Sequence, residues 1–168
     1  LADRERYLNA RSTLLTLLIA VTNHPTPSRP AAPLAEKVPC EVISAKDIQA
    51  WTGRAMNRTP ILRGPRESTC DFTSPDAAIT ITARRAQAKI DLPAELGNLK
   101  AEFPDSKLSG VDGLGAAAVL VDLGEAGALL NVFRNDRDYL MIAVLGMGEY
   151  EKAKQTAIRI ARTTLDRL

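Results

Sequence analysis

The chain has 168 residues, 45% apolar and 25% charged, which is the length and make-up of one ordinary globular domain. Its formal net charge of +2 arises in the first 37 residues, where five basic residues stand against three acids. Residues 38–168 carry 17 of each sign. A domain that grips phosphate shows a basic surplus of its own, so this balance argues against nucleic acid as a partner.

Residues 1–21 form the first unit. Arg4, Arg6 and Arg11 precede the uncharged run LLTLLIAV, from Leu14 to Val21. The run is too short to cross a bilayer, which takes roughly 20 apolar residues, and has the length and flanks of an export-signal core or anchoring segment. An amphipathic helix with Leu8, Leu14, Leu15 and Leu18 on one side is the alternative. Contact with a membrane is expected only through this segment, if it stays uncleaved. Residues 22–37 hold Pro25, Pro27, Pro30 and Pro33, and read as an extended tether, since proline removes backbone donors and disfavours helix before it.

One domain over residues 38–168 follows. Ser44 and Asp47 form a capping pattern for a short helix over residues 45–51 that ends at Gly53, with Ile48, Trp51 and Ala55 on its buried side. Residues 54–69 are polar and broken by Pro60, Gly64 and Pro65, leaving room for a short strand around Ile61. A second short strand is expected at residues 70–72. In residues 77–84, Ile79 and Ile81 alternate with Thr80 and Thr82, predicting a half-buried strand with the threonines in water. Asp91 and Pro93 open a helix over residues 92–103, weakened by Gly97. Residues 107–115 read as a glycine-bearing loop. Strands are then predicted at 116–121, 128–133 and 139–145, the last two joined by the polar hairpin connection 134–138. The run YLMIAVL is apolar on both sides and is expected at the centre of the sheet. Residues 149–168 have apolar positions at three- and four-residue spacing, the pattern of a surface helix lying on a sheet. The fold class is therefore α+β: a mostly antiparallel sheet with a short N-terminal helix, a middle helix and a long C-terminal amphipathic helix.

Cys40 and Cys70 are the only cysteines. In an exported chain they are expected to form a structural disulfide, closing a ring of about 31 residues with roughly 3–4 kcal/mol of stabilisation. In a reducing compartment they would be two buried thiols. Two sulfurs do not make a metal site without further ligands, and His24, the single histidine, lies in the tether. No metal and no cofactor are expected. Without a histidine in residues 38–168, a Ser-His or Cys-His nucleophile pair cannot be built inside the domain, and no catalytic residue is assigned. The acids are spread singly, as solvated surface charges are. Gly110, Gly113 and Gly115 have a dinucleotide fingerprint's spacing reversed and precede a strand, so they read as a flexible strand start where glycine supplies positive φ. Arg54, Arg58, Arg63 and Arg66 fall within thirteen residues. They form either a surface for an anionic partner or a set neutralised by Glu67, Asp71 and Asp76. Trp51 reads as a core anchor.

The order of features resembles a family of small, secreted, actinobacterial-type lipoproteins. The residues that carry the resemblance are Cys40, Ile43, Ile48, Gly53, Cys70, Phe72, Gly113 to Ala118 and the terminal helix from Ala153. That family's lipidated cysteine is replaced here by Thr22-Asn23-His24. The resemblance implies an extracytoplasmic location, at the periplasm or cell surface, and supplies no catalytic residues. The leading expectation is a non-enzymatic domain that binds an envelope protein or component through its sheet or the loop between the cysteines. A carrier enclosing a small apolar ligand and a small acid/base hydrolase are the alternatives. A cavity of a few hundred Å³ favours the carrier, an exposed apolar patch favours the partner-binding domain, and two acids converging in a cleft favour the hydrolase.

Overall fold

A computed structural model describes residues 39–167, apart from the side chains of Leu62 and Arg63. The signal-like segment 1–21 and the tether 22–37 lie outside the described residues. Seven strands make one sheet: β1 (Asn57–Gly64), β2 (Glu67–Thr73), β3 (Ala78–Arg85), β4 (Leu108–Gly110), β5 (Ala117–Asp122), β6 (Gly127–Phe133) and β7 (Asp138–Leu145). Their spatial order is β1-β2-β3-β7-β6-β5-β4 and every neighbouring pair is antiparallel. Two meanders, β1–β2–β3 and β4–β5–β6–β7, therefore meet along one seam, β3 against β7. The helices are α1 (Pro39–Val42), α2 (Ala45–Thr52), α3 (Leu92–Glu102) and α4 (Tyr150–Arg167). This is the α+β architecture that the sequence predicts.

Strand alternation sends one set of side chains inward. Phe72, Ile79, Ile81, Leu120, Leu130, Leu140, Ile142 and Val144 are wholly buried in a single cluster that also takes Ile43, Ile48 and, from α4, Ala153, Ala157, Ile160 and Ala161. The alanines let α4 approach the sheet closely. Thr156 and Thr164 lie on the same helix side and satisfy their hydroxyls by donating to the carbonyls of Lys152 and Ile160, at 2.8 and 2.7 Å.

Capping fixes α2. The Ser44 hydroxyl accepts from the Asp47 amide at 3.1 Å, and the Asp47 carboxylate accepts from the Ser44 amide at 2.9 Å. Gly53, at φ 74°, closes the helix with its amide donating to the Gln49 carbonyl at 2.8 Å. Ile48 faces the core and Trp51 is half-buried, but Ala55 is exposed and Met56 takes the buried place expected of it. Arg167 ties the far end of α4 to this corner, donating to the Val42 carbonyl at 2.6 Å and the Asp47 carboxylate at 3.2 Å.

Three further expectations are corrected. The segment 54–69 is not irregular: it contains the eight-residue strand β1 and the start of β2, paired from Asn57↔Thr73 to Gly64↔Glu67. Backbone pairing holds this strand, and as the sheet's edge it tolerates Pro60, whose missing donor a central strand could not spare. The loop over residues 107–115 begins with β4, which pairs Leu108 with Val121. Thr82 is not in water: it is buried, and its hydroxyl shares a 3.0 Å hydrogen bond with that of Thr69 across the strand pair. The glycine loop that remains has the positive φ expected of it. Gly115 sits at φ 62°, and a Cβ there would lie 2.6 Å from the Phe133 carbonyl oxygen.

Cys40 and Cys70 are joined by a disulfide with Cα atoms 5.2 Å apart. It links α1 to the second strand from the edge, and both cysteines are buried. A disulfide points to an oxidising, extracytoplasmic environment. Replacing both cysteines by alanine is expected to lower unfolding free energy by about 3–4 kcal/mol, measured by urea denaturation against the oxidised parent. A second expectation concerns acid. The Ser44 backbone hydrogen bond, with help from the Ser44 hydroxyl and Arg167, holds the Asp47 pKa below its ordinary 3.8. A depressed carboxylate stabilises the fold above that ordinary value and loses its contribution as pH falls through the lowered one. Asp47→Asn should therefore be less stable than the parent at pH 7, and the gap should narrow in urea titrations carried progressively below pH 3.8.

Candidate functional site

The opposite face of the sheet is covered incompletely. After β3, residues 86–90 run along the β6–β7 hairpin turn, with the Ala86 and Ile90 amides donating to the carbonyls of Arg137 and Asp136 at 2.8 and 2.7 Å. That turn is itself rigid. The Asn135 side-chain oxygen accepts from the Arg137 and Asp138 amides at 2.8 Å each, and its amide donates to the buried Asp138 carboxylate. The second Asp138 oxygen faces Arg85 at 3.5 Å. Asp91 then caps α3, and the helix sets off across the outer face of β6 and β7.

No residue of α3 is buried, in contrast to six in α4. Between α3 and the sheet lies a cleft of about 230 Å³. Its helix side is Glu95, Leu99 and Glu102, one stripe at four- and three-residue spacing. Its floor is Leu129, Asn131 and Phe133 of β6 with Tyr139 and Met141 of β7, and Arg84, Ala86 and Ile90 close one end. Leu129, Asn131 and Phe133 are each at least nine-tenths buried, so β6 is enclosed on both faces. Phe133 and Tyr139 pack across the strand pair with ring centroids 6.1 Å apart.

Arg84 forms the polar end. It donates to the Tyr139 hydroxyl at 3.2 Å, lies 5.8 Å over that ring, and reaches Glu67 at 3.8 Å. Tyr139 first, then Glu67 and Glu95 more weakly, raise its pKa further above the ordinary guanidinium value. With Glu95 and Glu102 opposite, the ionisable lining carries one positive and two negative groups.

A second hollow, of about 440 Å³, lies between α4 and the β4–β5 edge, against Leu120, Tyr150 and Ile158 and beside Lys107, Asp112, Asp122 and Lys154. Burial pushes the Tyr150 hydroxyl pKa up. This hollow is the larger, but none of its side chains is a buried polar group without a partner. The smaller cleft has one in Asn131.

Of the four arginines singled out in the sequence, the three with described side chains are not gathered into one surface. Arg54 donates to Asp76 at 2.7 Å and to the Gly146 carbonyl at 3.2 Å. Arg58 donates to the Cys40 carbonyl at 3.0 Å, holding β1 to the disulfide. Arg66 lies in the β1–β2 turn, beyond the opposite end of β1 and roughly 20 Å from Arg58 by strand rise, where it shares a groove with Arg84 and Arg85. The Arg63 side chain lies outside the described residues. Glu95 and Glu102 are separated along α3 by a rise of roughly 10.5 Å, wider than the ~5–9.5 Å spacing of paired hydrolytic carboxylates. Among the described residues, no three His, Cys, Asp or Glu side chains converge as metal ligands.

The thin packing of α3 should show in hydrogen exchange. Its amides are expected to exchange through local opening, at least tenfold faster than those of β6 and β7, which should exchange only with global unfolding. Equal protection of α3 and β6 would contradict a loosely seated helix.

No protein-family model, curated protein or solved structure matches the chain.

Proposed function

We propose that this is an extracytoplasmic binding domain of the cell envelope, one that holds a small, largely apolar molecule in the cleft between α3 and the outer face of β6 and β7. One observation carries the reading. The inner face of the sheet is filled across β3, β7 and β6, its hollow being confined to the β4–β5 edge, whereas the outer face leaves about 230 Å³ walled by Leu99, Leu129, Phe133, Met141 and Ile90 beneath a helix with no buried residue. An engineered apolar cavity of about 150 Å³ is enough to take up benzene, so the space is adequate for a ligand of that size. A helix seated by so few contacts can also move aside to admit one.

Docking of a protein partner through an apolar patch has less support. Among the described residues Leu145 is the one large apolar side chain counted as exposed. The disulfide and the resemblance to secreted lipoproteins support a place at the periplasm or cell surface.

Toluene is a suitable first probe. Titrated into the full chain, it is expected to give saturable amide shifts by NMR, confined to β6, β7, residues 84–90 and α3. Filling the cleft with Leu129→Trp should abolish them while the protein still unfolds cooperatively. Shifts that grow linearly without saturation, or that map to the inner face, would reject the proposal.

A further inference from the structure

The cleft contains a polar group that the fold does not use. The Asn131 side-chain amide nitrogen is buried and has no hydrogen-bond partner among the described residues. Its surroundings explain why. Directly across the strand pairs stand Val119 of β5 and Met141 of β7, and the next residues on the same face of β6 are Leu129 and Phe133. None of these four side chains offers a carbonyl or carboxylate oxygen. Asn131 is the single polar side chain in a strand that otherwise reads Gly-Ala-Leu-Leu-Val-Phe, and it is 5% exposed. A leucine or valine there would pack with its neighbours and leave no donor unsatisfied, so packing of the strand gives no reason for the amide. Asn131 is part of the floor of the cleft.

We propose that Asn131 is the specificity residue of the cleft, donating to the carbonyl oxygen of a neutral apolar ligand such as a ketone, ester or amide. This rests on the reading of the cleft as a small-molecule site and adds the chemical class. Three features select it. The amide nitrogen is a donor, so its complement is an acceptor oxygen. The remaining walls near it are apolar, which suits a hydrocarbon body. The ionisable lining has two carboxylates, Glu95 and Glu102, against one guanidinium that Tyr139 and Glu67 already engage, which disfavours an anionic head. At ~30 Å³ for each water-sized group, the volume admits about seven or eight such groups. The ligand is a molecule of that size, or the carbonyl-bearing end of a longer one.

Cumene, acetophenone and benzoate are close to isosteric and differ in bearing no acceptor, a neutral carbonyl or a carboxylate. Each is titrated into the full chain and into Asn131→Leu. The measured quantity is the ratio of acetophenone to cumene affinity in each protein, which cancels the different hydration of the two probes. The ratio is expected to fall by about tenfold or more on Asn131→Leu, cumene binding the variant at least as well as the parent. Benzoate is expected to bind the parent more weakly than acetophenone. A ratio unchanged by the substitution, or benzoate as the tightest of the three, overturns the assignment of Asn131 while leaving the cleft a binding site. Failure of cumene and acetophenone alike to bind the parent removes the cleft itself. Should Asn131→Leu not fold, the infrared carbonyl stretch of acetophenone bound to the parent decides. A shift to lower frequency than in hexane supports the hydrogen bond, and a hexane-like frequency overturns it.

Discussion

The pairing of β3 with β7 is the contact on which the rest of the molecule depends. It runs unbroken from Ala78↔Leu145 to Arg85↔Asp138 and joins residues about sixty positions apart. Each meander alone would present a small sheet with one unfinished edge. Joined, they give a seven-stranded surface wide enough for α4 and α2 to lie on one face. The same seam brings the end of β3 beside the β6–β7 turn, where Ala86 and Ile90 find their carbonyl acceptors. The direction of α3, and with it the outer cleft, follows from a register set by backbone hydrogen bonds on the other side of Arg85.

Much of this is legible in the sequence alone. The three-then-four spacing of alanines after Tyr150 predicts α4 because burial against a sheet imposes that period, and Ser44, Asp47 and Gly53 bracket α2 because helix ends need those chemistries. Strand β1 was not legible. NRTPILRG has no clean alternation, and it is strand because β2 offers a complete ladder beside it, a fact carried by residues elsewhere in the chain. Thr82 misled for a related reason: alternation tells which side a residue takes, not whether that side is covered. The outer face of β6 shows the same limit. Asn131 in GALLNVF is a visible oddity in the sequence, yet only the path of α3 turns it from a surface asparagine into a buried donor.

The two faces of the sheet are built to different standards. Inside, across β3, β7 and β6, branched aliphatic side chains and the alanines of α4 leave little room, and the threonines there bond back to their own helix. Outside, polar pairs such as Thr69 with Thr82 and Thr80 with Asp71 knit the β2–β3 half, while the β6–β7 half is roofed by a helix with no buried residue. Rigidity and access are thus divided between faces, so the core need not be disturbed to open the cleft.

The position of the disulfide also sets how the domain bears force. Cys40 is the second residue of α1, and its partner lies inside β2. Tension applied to the chain preceding Pro39 would leave the backbone after a single residue and pass through the sulfur bridge into β2. The ring of α1, α2 and β1 would stay slack while β2 is loaded in shear against β1 and β3 together. The first element to feel such a pull is therefore not a terminal helix but a strand hydrogen-bonded on both sides.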